Sequence, residues 1–115
     1  MFVSHEKDRA QIPVSPPGAR NVLKQSLVGP GEGWQGWVMR QFTLTDRGCT
    51  PRHRHPWPHV NYVVRGEGIL FLEGSEHRLT TGSIAYVPAG AEHQFNSTAP
   101  EDFVFICIVP VEGDV

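Results

Sequence analysis

The chain has 115 residues, a formal net charge of −2, and 39% hydrophobic against 19% charged residues. That is enough for one domain with one core and too little for two, in the composition of an ordinary globular protein rather than a disordered one. Lys and Arg form no dense block, and the longest apolar stretch, Phe103 to Val111, is broken by Pro110. A nucleic-acid footprint and a bilayer-spanning helix are therefore not indicated.

Residues 1–20 are polar and contain Pro13, Pro16 and Pro17. They are expected to form an arm, extended along a partner subunit, ahead of a domain at 21–115. The N-terminus has no apolar signal segment, so the expected location is cytoplasmic. Asn21 to Val28 alternates loosely, and Gly29-Pro30-Gly31-Glu32-Gly33 is a breaker. Trp37 to Leu44 reads as a strand with Val38, Arg40, Phe42 and Leu44 on one face. A turn is expected at Gly48 to Pro51, then a strand from Val60 to Arg65. Ile69 to Leu72 and Glu76 to Leu79 flank Glu73-Gly74-Ser75, a hairpin signal. Ile84 to Val87 stops at Pro88-Ala89-Gly90, His93 to Phe95 begins another strand, and Phe103 to Val109 is the last and most apolar. No window shows helical periodicity with caps. The expected fold is all-β, a jelly-roll-like barrel.

Four of the six histidines fall in two compact sets. In His53-Arg54-His55-Pro56-Trp57-Pro58-His59, residues i and i+2 of an extended chain share a face, so His53 and His55 can bind one ion together. The Pro-Trp-Pro interruption lets the chain turn and bring His59 back to the same point. In Pro88-Ala89-Gly90-Ala91-Glu92-His93 a rigid turn delivers a fourth imidazole. Single histidines are more often surface or core residues than ligands, and His5 and His77 are read that way. Imidazole suits zinc, copper, iron, nickel and, less tightly, manganese. Cys49 and Cys107 are expected as free thiols in a reducing compartment.

Gly48-x4-His53-x-His55-x3-His59-x6-Gly66 resembles the first cupin motif, G-x5-H-x-H-x3/4-E-x6-G. Gly82-x5-Pro88-x-Gly90-x2-His93, followed by Asn96, resembles the second, G-x5-P-x-G-x2-H-x3-N. The first gap is one residue short, Asn96 comes one residue early, and His59 stands where the family has a glutamate. In this the chain resembles small bacterial manganese cupins with four-histidine sites. The likeness extends to Val38-Met39-Arg40-Gln41-Phe42-Thr43 and to Ile106-Cys107-Ile108-Val109-Pro110. It implies a single-domain cupin, a divalent manganese ion on His53, His55, His59 and His93, an oxygenase-type activity and a homodimer. It also places Cys107 toward the metal pocket; by alternation alone Cys107 reads as a buried structural thiol.

Four neutral imidazoles leave the ion its full 2+ charge, which favours an anionic or enolic small-molecule ligand. Four protein ligands on an octahedral ion leave two positions for substrate, or for substrate and dioxygen. With His59 inward, alternation turns Asn61 and Val63 inward too, and an amide at Asn61 can bind substrate oxygen or a metal-bound water. Arg40, if its face lines the barrel, needs an acidic partner or an anionic substrate; at a strand end it would reach water instead. Trp57 covers the site mouth or packs its loop. The leading expectation is a metal-dependent dioxygenase. Its alternatives are a non-redox isomerase, cyclase or lyase, and a ligand-binding domain without turnover.

Overall fold

Short apolar runs punctuated by glycine and proline produce nine strands and three single-turn 3₁₀ segments. The computed structural model describes residues 1–115. The strands are β1 Ile12–Val14, β2 Arg20–Val28, β3 Trp37–Cys49, β4 His59–Arg65, β5 Gly68–Leu72, β6 Ser75–Leu79, β7 Ile84–Val87, β8 His93–Ser97 and β9 Phe103–Pro110. They form a nearly closed antiparallel barrel in the order β6-β5-β8-β3-β9-β4-β7, with β2 added on β3 and β1 on β2. No helix is long and apolar enough to cross a membrane.

Strand β3 departs from the sequence expectation. It does not end at Leu44 but runs thirteen residues to Cys49, through the expected turn at Gly48. Asp46 and Arg47 take φ values of +35° and +57°, which kink the strand as a bulge does. Ahead of the kink β3 pairs with β2 and β9; beyond it Cys49 lies opposite Arg20 of β2 and Asn96 of β8. One strand thus serves both sides of the barrel. Thr45 to Gly48 carry no apolar alternation and have no partners in the strand register; Arg47 N donates to the Ala99 carbonyl (3.0 Å), and the Arg20 and Asn21 side chains donate to the Arg47 and Asp46 carbonyls (2.7 and 3.2 Å).

The residues before β2 lie on their own barrel. Ile12 to Val14 pair with Lys24 to Val22. The Gln25 amide donates to the Glu6 carbonyl (2.7 Å), the Gln41 amide to Glu6 Oε2 (3.2 Å), and Arg65 Nη2 pairs with Glu6 Oε1 at 2.9 Å. The Arg65 bond, then the Gln41 bond, hold the Glu6 carboxyl below its ordinary range. This cover buries Gln25 and Gln41 on an otherwise outward face.

The core is Val22, Leu44, Val63, Leu70, Leu79, Val87, Ala91, Phe95, Phe103 and Phe105. Phe105 stacks on Phe95 with centroids 4.3 Å apart and meets Phe103 at 5.4 Å. Burying each large side chain contributes about 1.5–3 kcal/mol. Alternation sets the directions on β4, where His59, Asn61 and Val63 are buried while Val60 and Tyr62 are exposed. The inward polar positions of β3, β4, β8 and β9 collect above the aromatic core, at one end of the barrel.

Candidate metal centre and its cavity

His53 and His55 lie in the extended segment between β3 and β4, and His59 and His93 are the first residues of β4 and β8. Backbone bonds fasten the two histidine segments together. His53 and His93 form an isolated antiparallel bridge with both N–H···O bonds (3.1 and 2.9 Å), and Gly90 N donates to His55 O (2.8 Å). The ring nitrogens of His53, His55 and His93 consequently come within 4.8 Å of one another. His59 lies outside this group of three; it approaches from β4 and brings its Nε2 to 3.3 Å from His93 Nε2. Its ring centroid is 5.3 Å from that of His55. All four imidazoles therefore line one pocket.

The surrounding acceptors decide which nitrogens carry protons. His93 Nδ1 lies 2.9 Å from the Ala91 carbonyl and His55 Nδ1 lies 2.8 Å from the Trp57 carbonyl, so each Nδ1 donates. Asn61 uses its amide nitrogen on the Ile106 carbonyl (3.2 Å), which turns Oδ1 toward His59 Nδ1 at 2.7 Å. That nitrogen, too, must donate. Nε2 of His55, His59 and His93 is left with a bare lone pair, the arrangement that outer hydrogen bonds impose on metal-binding histidines.

Burial pulls the His59 imidazolium down to about 3, against the Asn61 bond, which favours charge. Burial likewise pulls His93 to about 4, against its bond to the Ala91 carbonyl. His53 and His55 are lowered as well, again chiefly by burial. At neutral pH the rings are uncharged and able to ligate. Two bare Nε2 lone pairs facing each other at 3.3 Å have no proton to share. They repel unless a cation lies against both, and the donor set fits a divalent transition metal.

The cavity around this cluster encloses about 520 Å³. Its walls are mainly apolar, with Phe42, Phe95 and Phe105 on one side, Trp57 at the loop, and Val14, Pro16 and Ala19 from the N-terminal segment. Trp57 stacks on His55 (centroids 4.7 Å, planes 11° apart). It also packs against the cluster of Val38, Cys107 and Val109, and against Gly113, where an added Cβ would stand 2.7 Å from the indole. Arg40, Cys107 and Asn61 face each other in one row across β3, β9 and β4. Arg40 is buried, with Nη2 at 3.2 Å from Cys107 Sγ, Nη1 at 3.4 Å from the Gly113 carbonyl and at 3.7 Å from Asp114 Oδ1. Burial pushes the Cys107 thiol up, against the Arg40 charge, so it is a neutral thiol rather than a nucleophile. Cys49 and Cys107 are both free.

Nothing in the local pattern singled out Lys24, Gly113 or Asp114, which complete this end of the barrel. Each reaches the site through strand pairing or a turn after β9, with no motif of its own.

Asn61 has a measurable part in this arrangement. Asn61→Ala should leave His59 free to rotate and to change tautomer. The expected loss in affinity of Mn(II) or Zn(II) for the purified protein is about 10–100-fold, read by competition with a chromogenic chelator. An unchanged affinity would show that the bond does not orient His59.

The fold and the site define a small antiparallel β-barrel whose cavity collects neutral imidazoles, with a cluster able to hold a metal. Residues 41–109 match the cupin domain, and the chain belongs to that family. Its fold is similar to that of the polyketide cyclase RemF from Streptomyces resistomycificus, at 28% identity over 96% of this chain and 79% of that one, with a TM-score of 0.89. A predicted oxalate decarboxylase from Thermotoga maritima shares the fold at 17% identity and a TM-score of 0.86, over 95% of this chain and 98% of its own. A 45-residue stretch is 33% identical to the HTH-type transcriptional activator RhaR of Mannheimia succiniciproducens, covering 39% of this chain and only 16% of that protein.

Proposed function

We propose that this cupin is a metal-dependent enzyme acting on a small organic molecule with enolic or phenolic oxygen. His53, His55, His59 and His93 would hold one divalent transition-metal ion, manganese by the resemblance, with iron, zinc, nickel and copper suiting the same donors. The observation that carries this reading is the 3.3 Å approach of the His59 and His93 Nε2 atoms, both stripped of protons by their own hydrogen bonds. When bound, the ion supplies a Lewis acid that draws electron density from a ligand oxygen and stabilises negative charge on it. The chain's own residues do the rest. Phe42, Phe95 and Phe105 form an apolar wall that excludes water and receives a planar ring. Asn61 keeps His59 in the ligating tautomer. Cys107, held neutral, leaves the wall without a competing thiolate.

Likeness to a polyketide cyclase over 96% of this chain supports a non-redox reaction, such as ring closure or isomerisation, as the first reading. A dioxygenase-type reaction is the second, favoured by apolar walls that suit dioxygen as well as substrate. Turnover of a panel of β-diketones and phenolic acids, with zinc-loaded and manganese-loaded protein and with and without oxygen, separates the two. The first reading expects anaerobic turnover by the zinc form. Turnover confined to the manganese form with matching oxygen uptake would replace it with the second. Protein that retains no divalent metal would sink both.

A further inference from the structure

With the imidazoles neutral, Lys24 and Arg40 are the only charged side chains among the residues lining the cavity, which include no Asp or Glu. The two sit on one face of neighbouring strands: Lys24 pairs with Phe42, two residues along β3 from Arg40. A single carboxylate answers both, Asp114 in the turn after β9. Its Oδ1 is 2.8 Å from Lys24 Nζ and 3.7 Å from Arg40 Nη1. Two cations thus share one side-chain carboxylate in a largely apolar pocket, where charge is costly.

Arg40 is also poorly served. Its Nε is buried without a hydrogen-bond partner, as is Asp114 Oδ1, whose contacts to the two cations are ion pairs by distance only, and the other Arg40 nitrogens reach a thiol at 3.2 Å and a carbonyl at 3.4 Å. A guanidinium normally meets a carboxylate with two parallel bonds, and Asp114 at 3.7 Å makes neither. Asp114 is tethered by one backbone bond to Val111 (3.1 Å) in a single 3₁₀ turn. The cation pair is therefore built into paired strands, and its counterion into a single 3₁₀ turn outside the sheet.

We propose that Lys24 and Arg40 form a carboxylate-binding subsite of the cavity, and that Asp114 is its internal occupant, displaced when ligand enters. The ligand class is an aromatic or other planar organic acid, its ring against Phe42, Phe95 and Phe105 and its carboxylate on Lys24 and Arg40. This narrows the substrate class, and rests on the reading of the histidine-lined cavity as the substrate site.

The test uses 2-naphthoate and its neutral amide, 2-naphthamide, titrated calorimetrically into the full chain, zinc-loaded and after chelator treatment. Naphthoate should bind more tightly than the amide in both forms, because the cations belong to the chain and not to the metal. Asp114→Asn should tighten naphthoate about fivefold by weakening the internal competitor. Lys24→Gln should weaken it about tenfold. Neither substitution should move the amide. Both residues are partly exposed, so both variants are expected to fold where an Arg40 variant would be at risk. The subsite is overturned if Asp114→Asn leaves naphthoate unchanged or weaker, if Lys24→Gln shifts acid and amide alike, or if naphthoate does not bind. Discrimination that vanishes with the metal overturns it too, since the ion is then the anion binder and the proposed metal function stands. A chain that takes up no zinc yet still prefers the acid keeps the subsite and loses that function.

Discussion

Alanine at position 93 is expected to leave a folded barrel that retains much less metal through purification than wild type. His93 is the residue through which the cluster is joined. Its nitrogen lies within 4.8 Å of those of His53 and His55, and its Nε2 is 3.3 Å from His59. A set of protein ligands holding a divalent ion is worth roughly 10–16 kcal/mol, so on the proposed four-histidine site one ligand carries about 3 kcal/mol, a loss in affinity above a hundredfold. The backbone of the site survives the change, because the bridge to His53 uses the main chain of residue 93 rather than its ring. Elemental analysis of purified wild-type and His93→Ala protein gives the result directly. His77→Ala, in the exposed β5–β6 hairpin, is the control that should keep wild-type stoichiometry. Metal retained at wild-type levels by His93→Ala would end the four-histidine reading.

Gly66→Ala should be the most damaging small substitution for the fold itself. Gly66 follows β4 with φ +81°, and a Cβ there would stand 2.1 Å from the Asp102 carbonyl oxygen and 3.0 Å from Phe103 Cα. Both obstacles are backbone and neither can rotate away. The left-handed conformation and the overlap each cost about 1–3 kcal/mol, so a loss of roughly 3 kcal/mol or more is expected in chemical denaturation. Gly82 supplies the contrast. Its φ is +88°, but nothing lies within 4 Å of its Cβ position. Gly82→Ala should cost only the backbone strain, about 1 kcal/mol. Equal losses for the two would show that conformation, and not the approach of Asp102, is what Gly66 serves.

These two glycines also show how far the sequence could be read. Gly66 closes the first motif and Gly82 opens the second, and the chain alone offers no way to rank them. The difference lies in Asp102 and Phe103, which strand pairing brings beside Gly66 from the far end of the chain. The same division runs through the cavity. Period-two alternation turned His59, Asn61 and Val63 to one side, and the buried and exposed residues of β4 follow it. The hydrogen bond of His59 to Asn61 spans two residues and was within reach of that pattern; the approach of His59 to His93 spans thirty-four and was not.

Fold class, most strand positions and the shared faces of the histidine segments were determined by the sequence itself, because each depends on neighbours within a few residues. The passage of β3 through its kink to Cys49, the cover of the N-terminal segment over Gln25 and Gln41, and the counterion of Arg40 were decided by tertiary structure alone. Arg40 presented a need for an anion in the sequence, but the carboxylate that answers it is in the turn after β9, and only barrel closure carries Asp114 to Arg40 and Lys24. A side chain's direction is a local property of a strand. Its partner depends on every strand that pairs in between.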